Sequence, residues 1–203
     1  MSKSGKEVVK PMASVIGGDW GMGFFKFKSC DYCDDVLAET ADIVIGDAWL
    51  PEYVSDPKGT NIAVVRTKAF AEIIQEGIEE EKLDLVTVPI ETAIRSQDAG
   101  IRHRREGLAY RLALAKQRET WVPTKRIEAD ANSVSASRSK IYRIREELRD
   151  ESRQAFKVAK EKKNWSLFVE PMSKLTGCYR NAYAPLWRRL LSRVKRMLLQ
   201  IKR

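Results

Sequence analysis

Two cysteines three positions apart, Cys30 and Cys33, are the residues of this chain best suited to chemistry. A C-x-x-C turn brings two thiolates to one side of the backbone, and thiolates ligate zinc and iron–sulfur centres. The spacing alone leaves four readings open: half a zinc site, half an iron–sulfur site, a thioredoxin-like dithiol, or chance. Cys178 is a poor third ligand, because it lies in a far segment without a cysteine neighbour, and free cysteine is often a small buried apolar residue. The single histidine, His103, is crowded by Arg102, Arg104 and Arg105, which disfavour a bound cation. A self-contained zinc site is therefore not expected, and the missing ligands must come from elsewhere. Three cysteines in a chain without a leader-like apolar stretch also argue against a disulfide framework.

Acidic residues follow the cysteines closely. Asp35, Glu39 and Asp42 are spaced to share a helix face, where clustered carboxylates raise one another's pKa. The plainer reading carries more weight: Asp35 caps a helix, and Asp42 and Asp47 accept backbone amides beside the apolar run Ile43–Gly46. Asp47 ends a short strand, where α/β sheets place their ligands, which makes it the best single candidate for a ligand contact. Trp49 offers a flat ring for stacking on a planar ligand, although an aromatic after a strand is more often core. A Ser–His–Asp arrangement has no support with one histidine in a basic cluster. The run GGDWGMG (17–23) lacks the spacing of a phosphate loop and reads as a plain turn.

These residues need elements to position them. FFKFK (24–28) alternates apolar with basic and predicts a short strand. Asp34–Ala41 reads as one or two helical turns. Buried strands are expected at 43–46 and 62–66, separated by a loop punctuated by Pro51, Pro57 and Gly59. An amphipathic helix over 69–82 carries Phe70, Ile73, Ile74 and Ile78 on one stripe, and a third strand is expected over 83–88. A helical stretch to about Arg118 is interrupted by Gly100 and Gly107. A long charged helix runs from Ser139 or Lys140 to Lys163; its large apolar residues are sparse and keep no heptad, so it reads as solvated or loosely docked. The fold class is an α/β (α+β) body with a helical, basic C-terminal extension. Its expected partition is a domain over 1–118, a linker over 119–139, and the extension over 140–203.

The series Cys30, Cys33, Asp35, Glu39, Ala41, Asp42, Ile43, Gly46, Asp47 and Trp49 resembles the signature of the coenzyme F-420 hydrogenase/dehydrogenase beta-subunit family, in its C-terminal half. Arg66–Thr67 and the elements to about Ser96 also look like that family, and the resemblance covers roughly residues 5–115. It implies an iron–sulfur flavoprotein oxidoreductase subunit. Such a subunit passes electrons between a 4Fe–4S cluster, FAD and a deazaflavin-type or other acceptor. By the same resemblance Cys30 and Cys33 are cluster ligands, and Asp47 and Trp49 are weaker flavin candidates. The family carries an N-terminal half with glycine-rich flavin contacts and further cysteines, to which nothing here corresponds. The expected partner is therefore another redox subunit or a separate N-terminal half, with the chain incomplete by itself.

Composition adds one further feature. Of 37 basic and 28 acidic residues, seven basic and no acidic ones fall in 184–203, leaving the rest near neutral. From Leu186 to Ile201 apolar residues recur at helical spacing opposite those charges. Docking on the protein's own body, an anionic membrane surface and an acidic partner all suit such a segment; nucleic acid is disfavoured, since the stripe lacks interleaved aromatics. No run is long and apolar enough to span a bilayer. The expected location is cytoplasmic, with peripheral attachment at the inner membrane face. The rival reading is a non-catalytic remnant or interaction module held to a membrane or complex by this tail.

Overall fold

The computed structural model describes residues 5, 7 and 9–184, so the amphipathic segment expected over 184–203 lies outside it except for Ala184. The architecture is mixed α/β with a helical C-terminal part. The described residues form two compact units: one combines those up to Cys30 with those from Val134 onward, the other spans Asp31–Ser133.

The first unit is built on α5 (Ala136–Glu161) and α6 (Ser166–Tyr183), joined by a four-residue turn. Ser135 caps α5, its hydroxyl accepting from the Arg138 amide at 3.3 Å. Ile141, Ile144, Leu148, Ala155 and Ala159 of α5 pack with Phe168, Met172, Tyr179 and Ala182 of α6. Leu148, Ser152 and Met172 are wholly buried. The long helix is thus firmly docked, contrary to the solvated reading. Its buried seam runs 141, 144, 148, 152, 155, 159, a 3-4 repeat whose second half is Ser and Ala. Counting only large apolar residues hides it.

Met22 enters the same core from the N-terminal segment. Asp19 caps a 3-10 turn over Trp20–Met22, its carboxylate accepting from the Gly21 amide at 2.9 Å, so GGDWGMG is a turn as expected. Gly18 is required there: a Cβ would lie 2.2 Å from the Met12 carbonyl oxygen. The strand expected over 24–28 does not form. Phe25 has φ 57°, its amide donates to the Ser152 hydroxyl at 2.9 Å, and Arg153 donates to the Phe25 and Lys26 carbonyls at 2.8 and 2.7 Å. Side chains of α5 therefore satisfy the backbone that a neighbouring strand would have satisfied.

In the second unit β1 (Ile43–Asp47) pairs antiparallel with β2 (Asn61–Val65), with Ile45 opposite Ala63. The Asp56 carboxylate accepts from the Lys58 amide at 2.9 Å and closes the intervening loop as an Asx turn. Helix α1 (Lys68–Glu79) follows, then α2 (Ile90–Ser96), α3 (Asp98–Arg104) and α4 (Glu106–Gln117). The third strand is absent: residues 83–88 pair with no neighbour, and alternation without a ladder partner is not a strand. The break between α3 and α4 falls at Arg105 (φ −107°, ψ −81°) and at neither glycine. None of the residues of α1 is fully buried; on its apolar stripe Ile74 and Ile78 are half-buried and Phe70 and Ile73 are exposed. A core of Ala48, Ile62 and Ala93, flanked by Tyr53 and Val64, holds the sheet to α2.

Candidate functional site

The segment after Cys30 takes its shape from arginines far away in sequence. Residues 34–41 are irregular, not helical: Ala38 has φ 46°, and Arg66 donates to the carbonyls of Leu37, Ala38 and Ala41 at 2.7, 3.1 and 2.8 Å. Carbonyls held that way are not available for helical bonds. Arg111, buried in α4, donates from Nε to the Asp31 carbonyl at 2.9 Å and from Nη2 to the His103 carbonyl at 3.1 Å. Arg126 grips Glu39 with both terminal nitrogens, at 2.6 and 2.7 Å, and reaches Asp34 Oδ2 from Nε at 3.1 Å. Arg105 adds a bond to Glu39 at 3.0 Å, and Lys125 pairs with Asp34 at 3.6 Å.

These partners decide the protonation of the acids. The hydrogen bond from Arg126 holds the Glu39 carboxyl below its ordinary value against a smaller opposing effect of burial. For Asp34 burial acts upward, but its own backbone amide together with Lys125 and Arg126 outweighs it, and the net shift is downward. Both acids are therefore structural anions at neutral pH, and for Glu39 the shift is opposite to the one a carboxylate helix face would produce. Asp35 does cap a turn, Oδ2 accepting from the Glu39 amide at 3.0 Å, though no helix follows.

Of the residues singled out by sequence, Cys30 is exposed in a 3-10 turn over Lys28–Tyr32, and Cys33 is half-buried, its thiol donating to the Asp35 carbonyl at 3.4 Å. Cys178 is exposed on α6. Among the described residues no group of three or more His, Cys, Asp or Glu side chains is placed to hold a metal. The donor set fits half of a four-thiolate site and no more. Asp47 is exposed at the end of β1, where Gln97 donates to its carbonyl at 2.7 Å. Trp49 is 55% exposed and so is not a core residue.

A second feature was not foreseen. Ile45, Val54 and Ile73 are exposed in the stretch that holds β1, β2 and α1, and Val86 and Ile90 are exposed just after it, Val86 at 82%. Lone exposed apolar residues are ordinary, whereas this many over one thinly cored segment mark a surface suited to a partner. The arginine frame was likewise missed, since nothing local in sequence ties Arg111 or Arg126 to residues some 80 to 90 positions earlier.

A small antiparallel sheet with flanking helices, preceded by a thiol-bearing turn, makes up a mixed α/β domain. Residues 3–91 match the family described as the C terminus of the Coenzyme F420 hydrogenase/dehydrogenase beta subunit. The recognition made on residues 30–49 therefore holds, over a stretch that ends before the limit near 115 drawn from sequence. No curated protein and no solved structure matches the chain.

Proposed function

We propose that the chain is an iron–sulfur flavoprotein oxidoreductase subunit, or part of one, working within an assembly of several subunits. In it Cys30 and Cys33 ligate two corners of a 4Fe–4S cluster. The observation that carries the reading is the Cys33 thiol on an arginine-pinned segment inside the matched stretch 3–91. The remaining thiolates and the FAD site then belong to a partner, either another redox subunit or a separate N-terminal half. The exposed apolar residues around β1 and α1 supply a surface for it. When bound, the cluster would relay single electrons towards FAD and a deazaflavin-type or other acceptor; Asp47 and Trp49 are the flavin-side candidates. In this reading residues 1–118 form the redox-type domain, 119–139 the linker and 140–203 the extension. The protein works in the cytoplasm, and the basic segment 184–203 favours the inner membrane face.

The test is anaerobic reconstitution of the isolated chain and of the chain with its partner, followed by iron, sulfide and mass measurement. The expected result is no stable cubane in the monomer and a cluster in the complex that Cys30→Ser/Cys33→Ser removes. A double variant that keeps its iron in the complex refutes the assignment. The rival reading, a non-catalytic interaction module, is favoured by the same apolar surface and predicts partner binding without iron or flavin.

A further inference from the structure

At the turn joining α5 to α6, the first unit carries a connected group of exposed aromatic rings. Phe25 is 44% exposed, Phe27 70%, Phe156 42% and Trp165 55%. Ring contacts make them one patch: Phe25 meets Phe156 at 5.6 Å and Phe156 meets Trp165 at 6.4 Å. Phe168 underlies them, stacking with Trp165 at 4.6 Å and with Phe25 at 5.9 Å. Phe27 is tied in by the Arg153 guanidinium, 5.0 Å over its ring. Side chains held this way are not exposed by disorder; a rigid floor presents them.

The charges around the rings have one sign. Residues 24–28 and 153–165 contain Lys26, Lys28, Arg153, Lys157, Lys160, Lys162 and Lys163 against the single acid Glu161. Arg153, Phe156 and Lys160 fall at i, i+3 and i+7 on α5, so cation, ring and cation share one stripe. The nearby Asp150 is neutralised by Arg149, which binds it at 2.8 and 2.7 Å.

We propose that this patch docks on an anionic lipid bilayer surface, with Phe27 and Trp165 entering the interface and the lysines reaching the headgroups. The occupant follows from the composition. Trp and Phe beside long-stemmed lysines suit the boundary between acyl chains and headgroups. Cores of protein–protein interfaces, by contrast, are depleted in lysine. Base stacking on nucleic acid needs open ring faces in file; here Phe25 and Trp165 each turn a face to Phe168, and Phe27 is covered by Arg153. The residues of the site lie outside 184–203 in sequence, and the proposal does not depend on the redox reading.

The experiment is co-sedimentation of the full chain with phosphatidylcholine vesicles, with and without phosphatidylglycerol, at low and high salt. Phe27→Ala/Trp165→Ala is expected to lower the anionic-vesicle affinity roughly tenfold. Lys157→Gln and Lys160→Gln should each cost roughly fivefold at low salt, and less at high salt. Trp165→Phe keeps the apolar area, so it should bind as the parent does while losing part of the tryptophan quenching by brominated lipid. Circular dichroism melts of each variant separate a docking defect from unfolding. Parent-like vesicle binding by the aromatic variant with an unchanged melt overturns the proposal. Equal affinity of the parent for neutral vesicles also overturns it.

Discussion

Replacing Arg111 by methionine tests whether the arginine frame sets the geometry at Cys33. Arg111 is only 4% exposed, and its guanidinium spans the Asp31 and His103 carbonyls at 2.9 and 3.1 Å. Methionine retains the apolar stem, so little cavity forms, and the loss includes the charge-assisted bonds to the Asp31 and His103 carbonyls. Each such bond contributes about 1.5–3 kcal/mol, while removal of a buried charge recovers some desolvation. The expected net loss is about 2–4 kcal/mol, confined to the second unit. Amide hydrogen exchange resolves it: protection in α3 and α4 should fall by that amount while the α5–α6 pair stays unchanged. Alkylation of Cys33 should also quicken relative to Cys178, the exposed internal standard. If exchange changes by less than about 0.5 kcal/mol, within the range of an ordinary surface substitution, and alkylation is unaltered, then Arg111 is a passenger and the loop holds its shape by other means.

Leu148→Ala, at a wholly buried seam position, should cost about 3–5 kcal/mol in denaturant unfolding of the first unit. Glu39 and Asp34 have folded pKa values below their ordinary 4.5 and 3.8, so their contribution is complete above those values and disappears as pH falls through the depressed ones. Acid titration followed by backbone amide chemical shifts should therefore show the 31–41 segment released only as pH falls below the ordinary carboxylate range. Burial pushes the Tyr179 hydroxyl up to about 12, against the opposing bond from Arg145. Its stabilising share is complete below pH 10 and disappears as pH rises through 12, so absorbance at alkaline pH should show one tyrosine ionising late, together with loss of helix.

Where local pattern decided structure, the sequence was readable. The strands at 43–47 and 61–65, helix α1 and the GGDWGMG turn appear close to where periodicity and punctuation put them. Misreadings arose where distant side chains took over backbone groups. FFKFK has a strand's alternation, yet Ser152 and Arg153 hold its amide and carbonyls. Asp34–Ala41 has a helix's spacing, yet Arg66 occupies its carbonyls. The seam of α5 escaped notice because Ser152, Ala155 and Ala159 bury as well as leucines do when α6 packs closely. Cys30 and Cys33 were legible by type and spacing, whereas the guanidinium frame beside Cys33 needed the fold.

The two units differ in how their secondary structure is supported, and that difference bears on partnership. The α5–α6 pair buries a continuous seam from Ile141 to Ala159. The sheet has two strands of five residues and a core of three buried side chains, while no residue of α1 is fully buried. A two-stranded sheet is marginal in water unless something covers its apolar face. Local opening should therefore be easiest across β1, β2 and α1, the same stretch that exposes Ile45 and Ile73. A ligand or subunit that binds only the closed form stabilises it by about 2.7 kcal/mol at a hundred times its dissociation constant. Protection of β1 and β2 amides should then rise by that amount when the partner is added, with no change in α5 and α6. Slow exchange across β1 and β2 in the isolated chain, equal to that of the α5–α6 seam, would mean that the segment needs no cover and that its apolar surface is not an interface.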